Sequence, residues 1–349
     1  MGLTNFPNGI TSFGSPILAA PPLWLSNGAT AYFVGGQNAS DSNIGTDYDH
    51  PLSTISSATV DKVKNSSTGT SVHGTRGAGD FVYVSAGTYA ENVRIIKRDY
   101  TRVIGAGVGL CTMKPGDTPS SAVTDATGQS IGTALTMTNQ TTQMTNIAFI
   151  IGSRGVVVTG FTILGTGGTS GANAGFYLGD GTKMAAANNW GASQFHIYGN
   201  LLDGEGGYNG GWGFLWDGFG VGGCVEWNTI ARYASGGLLV NNGSTRSTMG
   251  GLFRFNTIAG CHGYGIRREA AFGGGLNVYG HNWIFDDAVT ALTNGILLGT
   301  ATSAAGDFVS CNTIGTSNAP ISVAATQDRV SGNMTSTAGN VSVTYVSMA

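Results

Sequence analysis

The chain has 349 residues, 58 glycines, only 10% charged residues and a formal net charge of −3. Collagen is excluded by 8 prolines without a three-residue period, and disorder by a 41% hydrophobic content that can bury a core. No Lys/Arg cluster exists to attract nucleic acid, and no apolar run approaches the roughly 18–20 residues of a membrane span.

Residues 1–29 hold four of the eight prolines and several large apolar side chains, among them Phe6, Ile10, Phe13 and Trp24. The segment is too apolar for a linker and too proline-rich for a helix. It reads as an extended arm that lies on a neighbouring subunit or assembly, or packs back on its own chain. A basic stretch leading into an apolar run is missing, so no signal peptide is expected.

From residue 30 the chain becomes strand-rich. Tyr32-Phe33-Val34 reads as a strand. The loop Asp41-Ser42-Asn43-Ile44-Gly45-Thr46-Asp47 has oxygen ligands at alternate positions, but its glycine and the missing twelfth-position Glu do not fit an EF-hand, so it reads as a turn. Ile55, Val60 and Val63 mark a short helix that would cover an open end. Gly79–Val84, Gly87–Val93 and Val103–Gly107 are further strands, and residues 117–155 interrupt the pattern.

The centre of the chain repeats one phrase. Ile197-Tyr198-Gly199-Asn200-Leu201-Leu202 returns around Asn228, Asn256, Asn282, Asn312 and Asn333, at spacings of 28, 28, 26, 30 and 21 residues. Val158–Ile163 is an earlier copy with Phe161 in the Asn place. Repeats of this size indicate stacked units, each too small to bury its own apolar face. The apolar residues three before and two after each Asn are five apart. Both can face inward only if the chain bends near the Asn, a residue that tolerates left-handed backbone. A second phrase begins at Gly213, Gly237, Gly265 and Gly295. Strand, bend, strand and loop repeated in this way predict a parallel β-solenoid with an internal ladder of Asn side chains. Residues 165–193 leave room for an inserted loop. Residues 336–349 read as a last strand that caps the solenoid or pairs with another chain.

The runs GTDYDHPLSTI and GDFVYVSAGTYAENV, with the recurrent Asn-x-Ile phrases, resemble the pectin-lyase-like superfamily over about residues 31–335. The resemblance implies an all-β fold, a right-handed parallel β-helix over residues 30–335 with an N-terminal cap helix. It implies no single activity, since that fold carries lyases, hydrolases, tailspikes and inert fibres. Separately, Asn5–Gly14 (NFPNGITSFG) is similar to the start of phage virion proteins in which a short segment precedes a β-helix. That likeness implies a protein of the virion exterior, often a homotrimer, folded in the host cytoplasm. Residues 1–29, with Phe6, Pro7, Ile10, Phe13 and Trp24, would anchor it to the major capsid protein or the tail.

Chemistry is harder to find. The superfamily's polygalacturonases carry Asn-Thr-Asp, a paired Asp, Gly-His-Gly and Arg-Ile-Lys in order. Here the Asn-Thr phrases end in Ile, Asp286-Asp287 follows His262, and no Arg-Ile-Lys exists. A lyase needs a base beside a uronate carboxylate. The candidate cluster is Arg267, Arg268 and Glu269, with Asp286 and Asp287 about one coil away. The alternative is that these are outward side chains in ordinary surface pairs. Asp203, Glu205 and Asp217 are a second acidic set. Trp190, Tyr208, Trp212 and Trp216, with Phe214, Phe219 and Trp227, form an aromatic concentration that could stack on sugar rings or fill a core or interface. Cys111, Cys224, Cys261 and Cys311 have no metal-like spacing and read as buried free thiols of a reducing compartment. No metal and no cofactor is expected. The reading is a structural virion protein decorating the head, or alternatively a tailspike that binds or depolymerises a host polysaccharide.

Overall fold

Each repeat makes one turn of a coil, and the coils stack in register into three parallel sheets. The computed structural model describes residues 10–12, 15–18, 29–59, 79–96, 99–115, 123–124, 130–132, 135–136, 143–165, 172–179, 192–205, 211–217, 220–241, 248–269, 275–286, 292–299, 306–316, 318–324, 328–337 and 340–344. The first sheet takes the strand before each bend, from Ala31–Val34 to Arg329–Ser331. The second takes the strand after it, from Gly87–Tyr89 to Asn333–Thr337. The third runs from Val93–Ile96 to Ala319–Val323. This is a parallel β-helix, the all-β fold that the phrase spacing and the superfamily resemblance implied.

The bend is made differently from the expectation. The left-handed residue is the one before the Asn, or before Phe161 in its place: Gly160, Gly199, Trp227, Phe255, His281, Cys311 and Gly332 all have φ between 55° and 82°. The Asn itself turns inward. Each Oδ1 accepts the backbone and side-chain N–H of the Asn one coil earlier, as Asn256 does from Asn228 at 3.1 Å each. Phe161 N–H starts the series on Asn200. The apolar residues on either side, such as Ile197 and Leu202 or Phe253 and Ile258, are buried as the pattern requires.

The second phrase has a steric cause. A Cβ on Gly213, Gly237, Gly265 or Gly295 would lie 2.4–2.6 Å from an Ile Cγ2 and 2.5–2.8 Å from the carbonyl oxygen of the next coil. Only glycine lets these backbones approach so closely. The following residue fills the lumen: Phe214 stacks on Phe176 at 4.9 Å, and Phe176 on Phe149, in register one coil earlier, at 5.1 Å.

At the N-terminal end the expected helix is described over Ile55–Thr59, with residues 60–78 outside the described set. Thr54 Oγ1 accepts the Ser57 N–H as an N-cap, and the Glu91 carboxylate accepts those of Ile55 and Ser56 at 2.7 and 2.8 Å. Leu52, Ile55 and Ala58 join the core. In the arm, Ile10–Ser12 pairs antiparallel with Ser15–Leu18, so this part is a hairpin. Phe6, Pro7, Phe13 and Trp24 lie outside the described residues. The last strand, Asn340–Thr344, pairs antiparallel with Asn333–Thr337 of its own chain.

Candidate functional site

The left-handed residues form a column on the outer corner between the first and second sheets. Their reversed backbone sends the side chain to solvent while the Asn goes inside. Trp227 is 61% exposed, and its ring stacks on Phe255 at 4.5 Å and 9°. Phe255 stacks in turn on His281 at 5.0 Å. Trp283 and Phe285 are also exposed on the adjoining second sheet. On the opposite side of Trp227 the column holds Gly199, where an added Cβ would touch only Thr159 Oγ1, at 3.4 Å. The aromatic stack therefore ends in an open notch.

Beside this column, on the outward face of the first sheet, four polar side chains meet. Glu226 takes His196 Nε2 on Oε1 and Arg254 Nε on Oε2, both at 2.8 Å. Burial pushes the Glu226 carboxyl up, but bonds from Arg254, His196 and Cys224 outweigh it and hold it below the ordinary range. Burial, then the nearby Glu226 charge, pushes the Cys224 thiol up to about 12. Among the described residues, His196, Cys224 and Glu226 are a group whose ligand atoms converge, within 4.8 Å of one another. On the second sheet Asp203 pairs with Arg232.

Comparison with known proteins gives no close kinship. No family model matches the chain, and no curated protein sequence matches it. Among solved structures it is similar to pectate lyase Pel9A (13% identity, 84% of this chain and 65% of that one, TM-score 0.48). It is also similar to a rhamnogalacturonan lyase (13%, 82% and 69%, 0.44) and to the A-module of the Azotobacter vinelandii mannuronan C-5 epimerase AlgE4 (14%, 73% and 66%, 0.36). The fold that the three stacked sheets show is a parallel β-helix. The chain spans just under two thirds of the length of pectate lyase Pel9A and of the epimerase module.

This β-helix separates the residues that the sequence grouped. Arg267 faces out of the third sheet, bonding Glu269 at 3.0 Å and lying over Tyr264. Arg268 faces in; it is 1% exposed, forms an ion pair with Asp307 at 3.0 Å and donates a hydrogen bond to Asp328 at 2.6 Å. Asp286 follows a second-sheet strand and accepts the Leu292 N–H at 2.8 Å, and Asp287 lies outside the described residues. Arg267, Arg268, Glu269 and Asp286 thus do not form one catalytic cluster, because neighbours in a strand point to opposite faces.

Trp212 and Trp216 are corrected in the same way. Trp216 is fully buried, edge-on to Phe195 at 5.2 Å, and Trp212 is buried with Tyr177 and Leu215 on the third sheet's outer face. Neither offers a ring to a sugar. Trp190, Tyr208 and Phe219 lie outside the described residues. Of the aromatics singled out that are described, Trp227 has the exposed ring. The turn reading of residues 41–47 holds: Asp41 accepts the Ser53 and Thr54 N–H groups and Asp47 that of Asp49. All four cysteines are free, but Cys311 is exposed and Cys224 half-buried.

The polar group at His196 and the column at Trp227 were missed for one reason. The alignment by Asn served to place apolar residues, yet it also puts His196 and Cys224 four places before their Asn and Glu226 and Arg254 two before.

Proposed function

We propose that the protein binds a polysaccharide along the corner between its first and second sheets. The observation that carries this reading is the open face of Trp227 above its stack on Phe255, beside the Gly199 notch. A pyranose ring laid on that face continues the stack, since the apolar side of a sugar matches an aromatic face. Glu226, Arg254, Asp203 and Arg232 flank it with hydrogen-bonding groups. Both carboxylates are already engaged by arginine, which favours binding over hydrolysis. The test is a glycan panel probed with the full chain and with Trp227→Ala. The variant should lose at least tenfold in affinity for any bound glycan while its melting temperature stays within the range of surface substitutions. Unchanged affinity, or no glycan bound by the parent, overturns the reading.

The opening Asn5–Gly14 phrase supports a second reading, compatible with the first. The chain is a virion exterior protein, a trimer, attached through residues 1–29 to the head or the tail. Imaging of particles with and without those residues tests it. Loss of density from the particle, with the β-helix still folded, is the expected result; decoration by the shortened chain sinks it.

A further inference from the structure

His196, Cys224 and Glu226 point to a second site, which shares Glu226 with the glycan corner but does not rest on the glycan reading. His196 and Cys224 pair directly across two coils of the first sheet, and Glu226 follows two residues on, on the same face. Three different ligand chemistries, an imidazole, a thiol and a carboxylate, are thereby held on a rigid sheet with their ligand atoms within 4.8 Å of one another.

We propose that this trio binds one zinc ion through His196 Nε2, Cys224 Sγ and Glu226 Oε1. A mixed nitrogen, sulfur and oxygen set suits borderline-soft Zn2+, whereas Ca2+ and Mg2+ take oxygen ligands. Zinc bonds of about 2.0–2.3 Å put tetrahedral ligands roughly 3.5 Å apart. The His196–Glu226 contact, now 2.8 Å, opens a little to admit the ion. Arg254 bonds the other carboxylate oxygen, Oε2, and His196 packs on Tyr198 at 4.4 Å. These contacts orient two of the ligands, as outer partners do in metal sites. The His196 side chain is 40% exposed, so the ion enters from solvent. On binding, the Cys224 thiol gives its proton to solvent and the sulfur bonds the metal as thiolate. Three protein ligands leave the fourth position to water.

The experiment titrates the full, reduced chain with Zn2+ alone, in competition with a chromophoric chelator. One equivalent per chain is expected, with Ca2+ failing to compete. Cys224→Ser and His196→Gln should each weaken binding at least tenfold. Cys311→Ser, which changes an exposed thiol on the corner, should leave it unchanged. Loading with Co2+ should give a near-ultraviolet thiolate-to-metal charge-transfer band that Cys224→Ser lacks. Less than one equivalent, or full affinity and an intact band in Cys224→Ser, overturns the proposal.

Discussion

Two ladders of polar side chains run inside this β-helix, one neutral and one charged. The first is the asparagine ladder at the corner. Every level has the same amide, so each Oδ1 accepts from the coil before and each Nδ2 donates, from Asn200 to Asn333. The second stands at the entry to the first sheet, where Gly251 N–H donates to Asn277 Oδ1 at 2.9 Å, Asn277 N–H to Asp307 Oδ1 at 3.0 Å and Asp307 N–H to Asp328 Oδ1 at 2.8 Å. The backbone uses the same device in both. The difference lies in charge. A carboxylate accepts without donating, so the second ladder carries buried negative charge and requires Arg268 to reach it from the third sheet. An amide ladder can extend coil after coil, whereas a carboxylate ladder lasts only as far as its counter-charge.

The largest effect should come from breaking the charged ladder. Arg268→Met leaves Asp307 and Asp328 without their cation and should cost about 3–5 kcal/mol, read as the shift in a denaturant midpoint. A loss below that of an ordinary surface substitution would mean that the ion pairs contribute no net stability. pH should bring out the same contrast at smaller cost. Burial pushes Asp307 up to about 6, against the pull of Arg268. Between pH about 4 and about 6 the folded chain therefore keeps a proton that the unfolded chain has lost. Stability should fall as pH rises through that window, and Asp307→Asn should flatten the slope; a slope unchanged in the variant would place its origin elsewhere. Smallest is one rung of the neutral ladder. Asn256→Ala leaves the Asn228 N–H without its acceptor and should cost about 2 kcal/mol, measured in the same way and with no dependence on pH.

The two ladders also differ in how far the sequence revealed them. The asparagines recur at one place in a repeated phrase, with apolar residues at fixed offsets, so the coil, its bend and its ladder could be read directly. Asp307 and Asp328 sit at the same place as Asn277, but Gly251, Gly223, Phe195 and Val156 occupy it in the preceding coils, and no pattern survives. The sequence groups Arg268 with its neighbours Arg267 and Glu269, either as a candidate catalytic cluster or as outward surface pairs, but one step along a strand decides between solvent and lumen. The aromatic concentration over residues 190–227 divides in the same way between the sugar-stacking and core alternatives. Composition grouped Trp212, Trp216 and Trp227, but their positions within the coil send the first two into packed layers and the third to the surface.

The corner column has a further consequence. Glycine adopts left-handed backbone freely, whereas an L side chain there costs about 1–2 kcal/mol. Trp227, Phe255, His281 and Cys311 sit in that conformation on consecutive coils, between Gly199 on one side and Gly332 on the other. The relaxed version of this corner is polyglycine. The fold therefore works against its own conformational preference at the places where it displays its aromatic rings. Replacing Phe255 with glycine trades ring stacking for backbone ease, so evolution toward a more robust rod and evolution toward a stickier one pull this single file of residues in opposite directions.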